Sequence, residues 1–280
     1  MAKPSIAEKR KTFRALHQSG CFVIPNPWNV GTARYLQGLG FKALASTSSG
    51  FAHALGYPDG GIGRDMALAH YRDMAESTDV PFNADFENGF AHDADEAAAN
   101  VARCIETGVA GLSIEDFSGD ESKPIYAFDH AVKRIKAARA AVDKAGGEVV
   151  FTGRCENFLH GNPNLEDTIK RLKAYGDAGA DCLYAPGIRT REQIAAVVKA
   201  VAPKPVNFLN SGAFGFSVAD IAAMGVRRIS VGGTLARVAM HAFIKSAREI
   251  AEQGTFDSFA GVMPNAELNK FFAGDRKGRS

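Results

Sequence analysis

The stretch Thr107-Gly108-Val109-Ala110-Gly111-Leu112 decides the fold, because its pattern recurs along the chain. A glycine ends a predicted helix, a short link follows, and an apolar run then begins a predicted strand. One unit of helix and strand is therefore repeated. The other copies of this junction are Leu39–Leu44, Ala178–Leu183 and Met224–Ile229.

Eight apolar runs, each followed by a helical pattern, extend this repeat over most of the chain. Eight such units close into a (β/α)8 TIM barrel, an α/β fold that typically takes about 250 residues. An open, doubly wound sheet is the alternative, but it needs a glycine-rich turn after strand one, and Pro25–Asn29 is not glycine-rich. The predicted strands are Cys21–Pro25, Ala43–Thr47, Pro81–Phe86, Gly111–Glu115, Glu148–Gly153, Cys182–Ala185, Val206–Leu209 and Arg228–Val231.

The chain of 280 residues, 46% of them hydrophobic, is expected to form a single domain over residues 1–280. Residues 1–19 are predicted to form an extra amphipathic helix before the barrel. Residues 254–280 run past the last barrel helix and contain four phenylalanines, which is too apolar for a disordered tail. We expect this extension to pack on a neighbouring subunit.

Composition argues against several classes of partner. The formal net charge is +2, and the one basic segment, Asp275–Ser280, is typical of a solvated tail, so no nucleic-acid partner is expected. No run approaches the roughly 18 apolar residues of a membrane helix, and no signal-peptide core opens the chain. The four cysteines (Cys21, Cys104, Cys155 and Cys182) are scattered, so we expect reduced thiols in a cytoplasmic protein.

Three carboxylates follow two neighbouring predicted strands. Asp85 and Glu87 alternate at the end of strand three, and Glu115 ends strand four. Because the carboxyl ends of parallel barrel strands share one mouth, we expect these groups to converge there. Oxygen ligands alone suit a hard cation such as Mg²⁺, which would also relieve their mutual repulsion. N-capping of the following helices is the alternative role of these carboxylates.

Other loops at the predicted mouth carry polar groups. The turn Ser46–Gly50 offers hydroxyls and backbone N–H groups to a carboxylate or phosphate, although it is also typical of an ordinary turn. Arg154, after strand five, is either a bidentate clamp for a substrate carboxylate or a salt-bridge partner. Asn207 supplies an amide, and Asp59 stands in a Pro-Asp-Gly turn, where aspartate is common without catalysis.

Together these residues resemble the isocitrate lyase/phosphoenolpyruvate mutase superfamily over about residues 20 to 245, in a branch like the 2-methylisocitrate lyases but without their catalytic cysteine loop. The combination is far more specific than any single motif. The matching pieces are Ser48-Ser49-Gly50, Leu55-Gly56-Tyr57-Pro58-Asp59, Asp85-Phe86-Glu87, Ile114-Glu115-Asp116, Arg154 and Arg227-Arg228-Ile229-Ser230-Val231-Gly232.

The resemblance implies a barrel that uses Mg²⁺, with Mn²⁺ as the alternative ion, to act on a small 2-oxo or 2-hydroxy carboxylate. It also implies a homotetramer, a dimer of dimers whose subunits exchange the eighth helix. Site roles follow by resemblance: Asp85 binds the metal directly, Glu87 and Glu115 bind it through water, Asp59 lies near the metal and reacting group, and Ser48, Ser49, Gly50 and Arg154 hold the substrate carboxylate.

The sequence departs from the lyases where they keep acid groups. Their loop after strand four carries a Cys that protonates the enolate, whereas Phe117–Tyr126 here has neither Cys nor His. Ser113 replaces their usual His, and Ala185-Pro186-Gly187 lacks their Glu. Lys123 and Tyr126 are the remaining candidates for proton donor.

Three hypotheses follow from this pattern. The first is a carbon–carbon lyase or decarboxylase that forms an enolate beside Mg²⁺. The second is phosphorus–carbon chemistry, as in phosphonopyruvate hydrolase or the mutase itself. The third is a barrel that binds a metabolite without turnover.

Overall fold

Eight parallel strands form the centre of the molecule. The computed structural model describes residues 3–277, so the end of the basic tail, residues 278–280, lies outside the described part. The strands are β1 (Phe22–Ile24), β2 (Leu44–Ala45), β3 (Phe82–Asp85), β4 (Gly111–Glu115), β5 (Val150–Arg154), β6 (Cys182–Tyr184), β7 (Val206–Leu209) and β8 (Arg228–Ser230).

The strands close into a barrel in chain order. From β2 to β8 each strand pairs in parallel with the next, and β8 pairs with β1. The ring is completed between β1 and β2 by the N–H of Ala45, which donates to the carbonyl oxygen of Pro25 at 3.1 Å. The predicted (β/α)8 barrel is therefore confirmed, and the open doubly wound sheet is excluded.

Helices surround the barrel and connect its strands. Among the described helices, none combines the length and apolar composition that crossing a bilayer requires. The helices are α1 (Ile6–Leu16), α2 (Val30–Gly38), α3 (Ser48–Ala54), α4 (Arg64–Ser77), α5 (Ala94–Glu106), α6 (Phe128–Lys144), α7 (Leu165–Asp177), α8 (Arg191–Val201), α9 (Val218–Ala223), α10 (Thr234–Gln253) and α11 (Asn265–Lys277), with a 3-10 turn at Asp257–Phe259.

The repeated glycines end helices as the sequence predicted. The backbone φ angle lies between 87° and 104° at Gly40, Gly108, Gly179 and Gly225. This left-handed conformation is accessible to glycine at little cost, and it turns the chain from a helix towards the next strand.

The segment read as a Ser/Gly turn after strand two is in fact the start of a helix. Thr47 caps α3, and its hydroxyl accepts the N–H of Gly50 at 3.3 Å. The N-cap satisfies a backbone donor that would otherwise be exposed, and this favours a helix despite two serines and a glycine in its first turn.

Helix α1 lies within residues 1–19, where an extra helix was predicted, and closes the amino-terminal end of the barrel. Phe13 is fully buried there and packs with Phe22 and Ile24 of β1, together with Val150 of β5. The amino-terminal end is thus filled with apolar side chains, and this leaves the carboxyl end of the strands for a cavity.

The carboxyl-terminal helices behave differently from those around the barrel. Helix α10 has no buried residue, and its Phe243 is 67% exposed. Helix α11 contacts α2 of the same chain, where the rings of Tyr35 and Phe271 lie 4.7 Å apart and Arg34 forms a 3.3 Å ion pair with Asp275. Part of the extension therefore packs on its own chain, and its packing on a neighbouring subunit stays a prediction.

Candidate active site

A cavity of about 190 Å³ opens at the carboxyl ends of the strands. This is smaller than the roughly 300–1,000 Å³ of pockets that hold drug-sized ligands, so it suits a small metabolite. The barrel brings six of the predicted site residues to its wall. They are Ser48, Ser49, Asp59, Asp85, Arg154 and Asn207.

Asp85 is held from several directions at the end of β3. Its backbone N–H donates to the Ser46 hydroxyl at 2.7 Å, and its carbonyl oxygen accepts the Tyr71 hydroxyl at 2.5 Å. Its Oδ2 lies 3.3 Å from both the backbone nitrogen and the hydroxyl of Ser48. The carboxylate is therefore fixed at the mouth before any ligand arrives.

Arg154, at the end of β5, lies among carboxylates. Its Nη1 is 3.0 Å from Oδ1 of Asp85 and 3.1 Å from Oε2 of Glu115, and its Nε donates to Glu156. The guanidinium also lies over the ring of Tyr184, with Cζ 5.1 Å from the ring centroid. The salt-bridge role left open by the sequence is therefore present, and the same group faces the cavity.

Glu87 reaches the site by a different route from the predicted one. Strand β3 ends at Asp85, and Glu87 follows in a left-handed conformation with φ of 47°, so strand alternation does not orient it. Burial first, and then the charges of Asp85 and Asp59, raise the pKa of Glu87 to about 7. Burial likewise raises the pKa of Glu115 well above its usual range.

The three carboxylates do not act as N-caps in the described structure. The residue that caps α5 is Asp93, whose carboxylate accepts the N–H groups of Asp95 at 2.8 Å and Glu96 at 3.1 Å. N-capping is therefore excluded as the role of Asp85, Glu87 and Glu115. Their proximity to one another at the mouth of the barrel requires a different explanation.

The donor set fits a hard divalent cation with few direct protein ligands. In the described residues no three His, Cys, Asp or Glu side chains form a ready cluster for a metal. Mg²⁺, however, usually keeps several waters and takes only one or two carboxylates. Burial is the main cause of the raised pKa values of Glu87 and Glu115, and neighbouring carboxylates, Asp85 among them, raise them further. A cation bound beside these groups would favour their ionised forms.

The Ser48-Ser49-Gly50 motif divides between two tasks. Ser48 and Ser49 line the cavity, and the hydroxyl of Ser49 lies 3.2 Å from that of Thr47. Gly50 is buried inside α3, with its N–H donated to the Thr47 cap. Gly50 is thus used for the helix rather than presented at the cavity wall.

The two predicted proton donors lie outside the cavity wall. The hydroxyl of Tyr126 is 2.7 Å from Nδ1 of His92. Lys123 is exposed in the loop after β4, which folds back on itself where the N–H of Ser118 donates to the carbonyl of Pro124 at 2.7 Å. The structure does not bring Lys123 to the other predicted residues. Burial first, and then the charge of Glu115, raise the pKa of Tyr126, so Tyr126 lies near Glu115.

Three buried residues of the site were not singled out from the sequence. Glu156 is 1% exposed and bridges Arg154 to His160, whose Nε2 lies 3.3 Å from it. Tyr184 and Arg228 line the cavity. Tyr184 ends an apolar strand and Arg228 begins one, so strand alternation across the whole barrel was the signal that could have placed both inside.

The chain is similar in structure and in sequence to several known proteins. A solved structure of a putative lyase/mutase from Burkholderia cenocepacia J2315 is 46% identical, covers 96% of this chain and 97% of its own, and superposes with a TM-score of 0.92. An oxaloacetate decarboxylase of Paraburkholderia xenovorans is 29% identical over 89% of this chain and 83% of its own. The 2-methylisocitrate lyase of Escherichia coli is 32% identical over 66% of this chain and 64% of its own.

The family profile described as phosphoenolpyruvate phosphomutase matches residues 13–251, which include all eight strands of the barrel. Relatives and structural neighbours of this family are carbon–carbon lyases and mutases. This match covers most of the chain and agrees with the barrel and with the carboxylates at its mouth. The chain therefore belongs to the phosphoenolpyruvate mutase/isocitrate lyase superfamily of enzymes.

Proposed function

We propose that this protein is a Mg²⁺-dependent carbon–carbon lyase that decarboxylates a small 2-oxo dicarboxylate of the oxaloacetate type. The observation that carries this proposal is the wall of the cavity. Asp85 and Arg154 stand at its outer end, while none of its described lining residues is a His, Cys or Lys. The full-length similarity to an oxaloacetate decarboxylase supports the same reaction.

The composition of the wall favours decarboxylation over cleavage of a 2-hydroxy acid. Cleaving a 2-hydroxy acid requires a base that removes the hydroxyl proton and an acid that protonates the new carbanion. In a 2-oxo dicarboxylate, the carboxylate bonded to C3, the carbon next to the oxo carbon, leaves as CO₂. This reaction needs no base to remove a hydroxyl proton. Among the lining residues that the structure describes, only Asp59 and Tyr184 remain as proton-transfer groups, and burial raises the pKa of Tyr184 to about 12.

The carboxylates at the mouth would hold the cation. Asp85 is its direct ligand in this proposal, and Glu87 and Glu115 hold it through water. A divalent cation bound there supplies Lewis-acid stabilisation to the negative charge that develops on the 2-oxo oxygen. Ser48 keeps the Asp85 carboxylate in place, since both its backbone nitrogen and its hydroxyl lie 3.3 Å from Oδ2.

The remaining outer residues would orient the substrate and its proton. Arg154 offers its guanidinium to a substrate carboxylate, and Ser49 offers a hydroxyl on the facing wall. Asp59, which is exposed at the rim, orders the water that delivers a proton to the enolate carbon. Exposure of Asp59 to solvent fits an enzyme that takes this proton from water instead of from a loop cysteine.

We also propose that the enzyme is a homotetramer built from dimers that exchange α10. The support is the 20-residue length of α10 and the absence of a buried residue along it, which leave an apolar face without cover in one chain. Its exposed apolar residues are Val238, Met240, Phe243, Ile244 and Ile250.

Proton and phosphorus NMR of the protein with a substrate panel tests the function directly. The panel holds oxaloacetate, isocitrate, methylisocitrate, dimethylmalate and phosphonopyruvate with Mg²⁺, each with an EDTA control and a no-enzyme control for spontaneous decarboxylation. We expect EDTA-sensitive loss of oxaloacetate with formation of pyruvate. Loss of phosphonopyruvate alone would replace the proposal with phosphorus–carbon chemistry, and loss of none, with oxalate still bound, would indicate a binding protein.

A further inference from the structure

Arg228 is a buried cation whose partners are all neutral. It is 3% exposed, at the start of β8. Its Nε donates to Oδ1 of Asn207 at 2.8 Å, its Nη2 donates to the Thr152 hydroxyl at 3.2 Å, and its Nη1 lies 3.3 Å from Nε2 of His17. The His17 ring is neutral, because burial and the Arg228 charge lower its pKa to about 3.

The charge of Arg228 is therefore not balanced by the protein around it. Among the ion pairs of the described residues, none includes Arg228, whereas Arg154 contacts three carboxylates. A guanidinium does not lose its proton in proteins, and a buried charge without a counter-ion is strongly destabilising. The three contacts use one N–H on each nitrogen, so one N–H on Nη1 and one on Nη2 are left for another partner.

Arg228 also lines the inner end of the cavity that holds Asp85 and Arg154 at its outer end. Arg228 precedes Ser230 by two residues and Asn83 precedes Asp85 by two, so both lie one layer deeper in the barrel. The amide oxygen of Asn83 is buried there without a hydrogen-bond partner. The inner wall thus has a cation and a polar oxygen whose hydrogen bonding is incomplete.

We infer that this inner end is an anion subsite, centred on Arg228, that takes a carboxylate of the substrate. The balancing negative charge is then supplied by the ligand, and the two free N–H groups of the guanidinium bind its oxygens. Asn83 completes its hydrogen bonding to a ligand hydroxyl or to a water that enters with the ligand.

This inference rests on the proposed function and narrows its substrate class. A carboxylate that supplies the missing counter-charge of Arg228 is strongly stabilised as an anion, so it is not the group that leaves as CO₂. Arg154 is already neutralised by Asp85, Glu115 and Glu156, so a carboxylate that it orients is stabilised much less. The inner subsite therefore holds the carboxylate that stays in the product, and the departing one lies towards the open outer end. The substrate must then carry two carboxylates, and a monocarboxylate product such as pyruvate should still bind at Arg228.

Calorimetric titration with pyruvate, in chloride-free buffer with EDTA, tests the subsite without the metal. Two variants remove its charge in different ways. Arg228→Met replaces the guanidinium with an apolar chain, and Asn207→Asp places a carboxylate next to Nε, so that the protein itself neutralises Arg228. Arg227→Met is the matched control, because this neighbouring, half-buried arginine does not line the cavity and donates to the carbonyl of Gly20 instead.

We expect the wild type and Arg227→Met to bind pyruvate alike, and both charge variants to bind it at least tenfold more weakly. Asn207→Asp keeps the side-chain shape, so it decides the question if Arg228→Met does not fold. Unchanged affinity in a folded charge variant, or no binding by the wild type in EDTA, would overturn the subsite. Failure of the proposed function would appear separately, as no EDTA-sensitive loss of oxaloacetate with Mg²⁺.

Discussion

Glu156, which is buried just after β5, accepts a hydrogen bond from Nε of the half-buried Arg154 at the end of that strand. This pair fixes the direction of the guanidinium, so that its Nη1 lies between Asp85 and Glu115. Glu156 is therefore a positioning residue that acts on the cavity through Arg154, while its other oxygen contacts His160.

Replacing Glu156 with glutamine should weaken substrate binding more than it slows the chemical step. The amide keeps the volume but loses the charge that orients Arg154, and misplaced groups in active sites can cost about 10²-fold. We expect KM for oxaloacetate to rise by about tenfold with a smaller change in kcat. Steady-state kinetics measure both. Glu166→Gln, an exposed site on α7, is the control, and equal kinetic constants for Glu156→Gln and wild type would contradict the positioning role.

Replacing Asp85 with asparagine should abolish turnover and leave the barrel folded. The amide keeps the contacts with Ser48 but binds a divalent cation poorly, and metal catalysis contributes several kcal/mol to rate. We expect a loss of about three orders of magnitude in kcat/KM, with Mn²⁺ binding followed by electron paramagnetic resonance as an independent measurement. Asp73→Asn, on the exposed side of α4, should behave as wild type. Retention of Mn²⁺ binding by Asp85→Asn would refute the ligand assignment.

His17 should make stability depend on pH below neutrality. Its pKa is about 3 in the folded chain, against an ordinary value of 6.5, because of burial and Arg228. Between these values the unfolded chain binds a proton that the folded chain does not, so the free energy of unfolding falls as pH decreases through this range. The slope from this residue is at most about 1.4 kcal/mol per pH unit.

Urea unfolding at pH 7 and pH 5 measures this dependence. His17→Gln cannot titrate, so its stability should change less between the two pH values than that of the wild type. The same pH dependence in both proteins would remove His17 from the explanation.

The exposed face of α10 should control assembly. Phe243→Glu places a charge on the apolar face, so we expect gel filtration to show a smaller species than the wild type. Val218→Glu, at a 51% exposed apolar position on α9, is the matched control and should elute with the wild type. Truncation after Gln253 tests whether residues 254–280 contribute to the same interface, and an unchanged elution volume would exclude them.

The sequence was most informative where a residue type at a given position indicates a single local structure. Glycine at a helix end predicted the junctions, and the carboxylates at strand ends predicted Asp85 and Glu115 at the mouth. Helix α3 was missed because Ser48, Ser49 and Gly50 are weak helix formers, and the Thr47 cap and surrounding packing stabilise it instead.

The inner part of the site was harder to predict for a physical reason. Arg228 and Tyr184 were placed in strands, but whether a strand residue faces the barrel interior depends on register, which needs both neighbouring strands. Lys123 and Tyr126 were candidates because their loop follows β4, but the contact of Tyr126 with His92 is between residues 34 positions apart. Contacts of this kind leave no local pattern in the sequence.

Helix α10 begins directly after Gly233, a residue of the cavity wall that lies against Ser49, such that a Cβ at Gly233 would come within 2.5 Å of the Ser49 hydroxyl. The helix that we propose is exchanged between subunits thus begins at the wall of the cavity. In the proposed tetramer, a subunit that separates from its neighbours would lose support for that wall, so specific activity should decline on dilution at the protein concentration at which the oligomer dissociates.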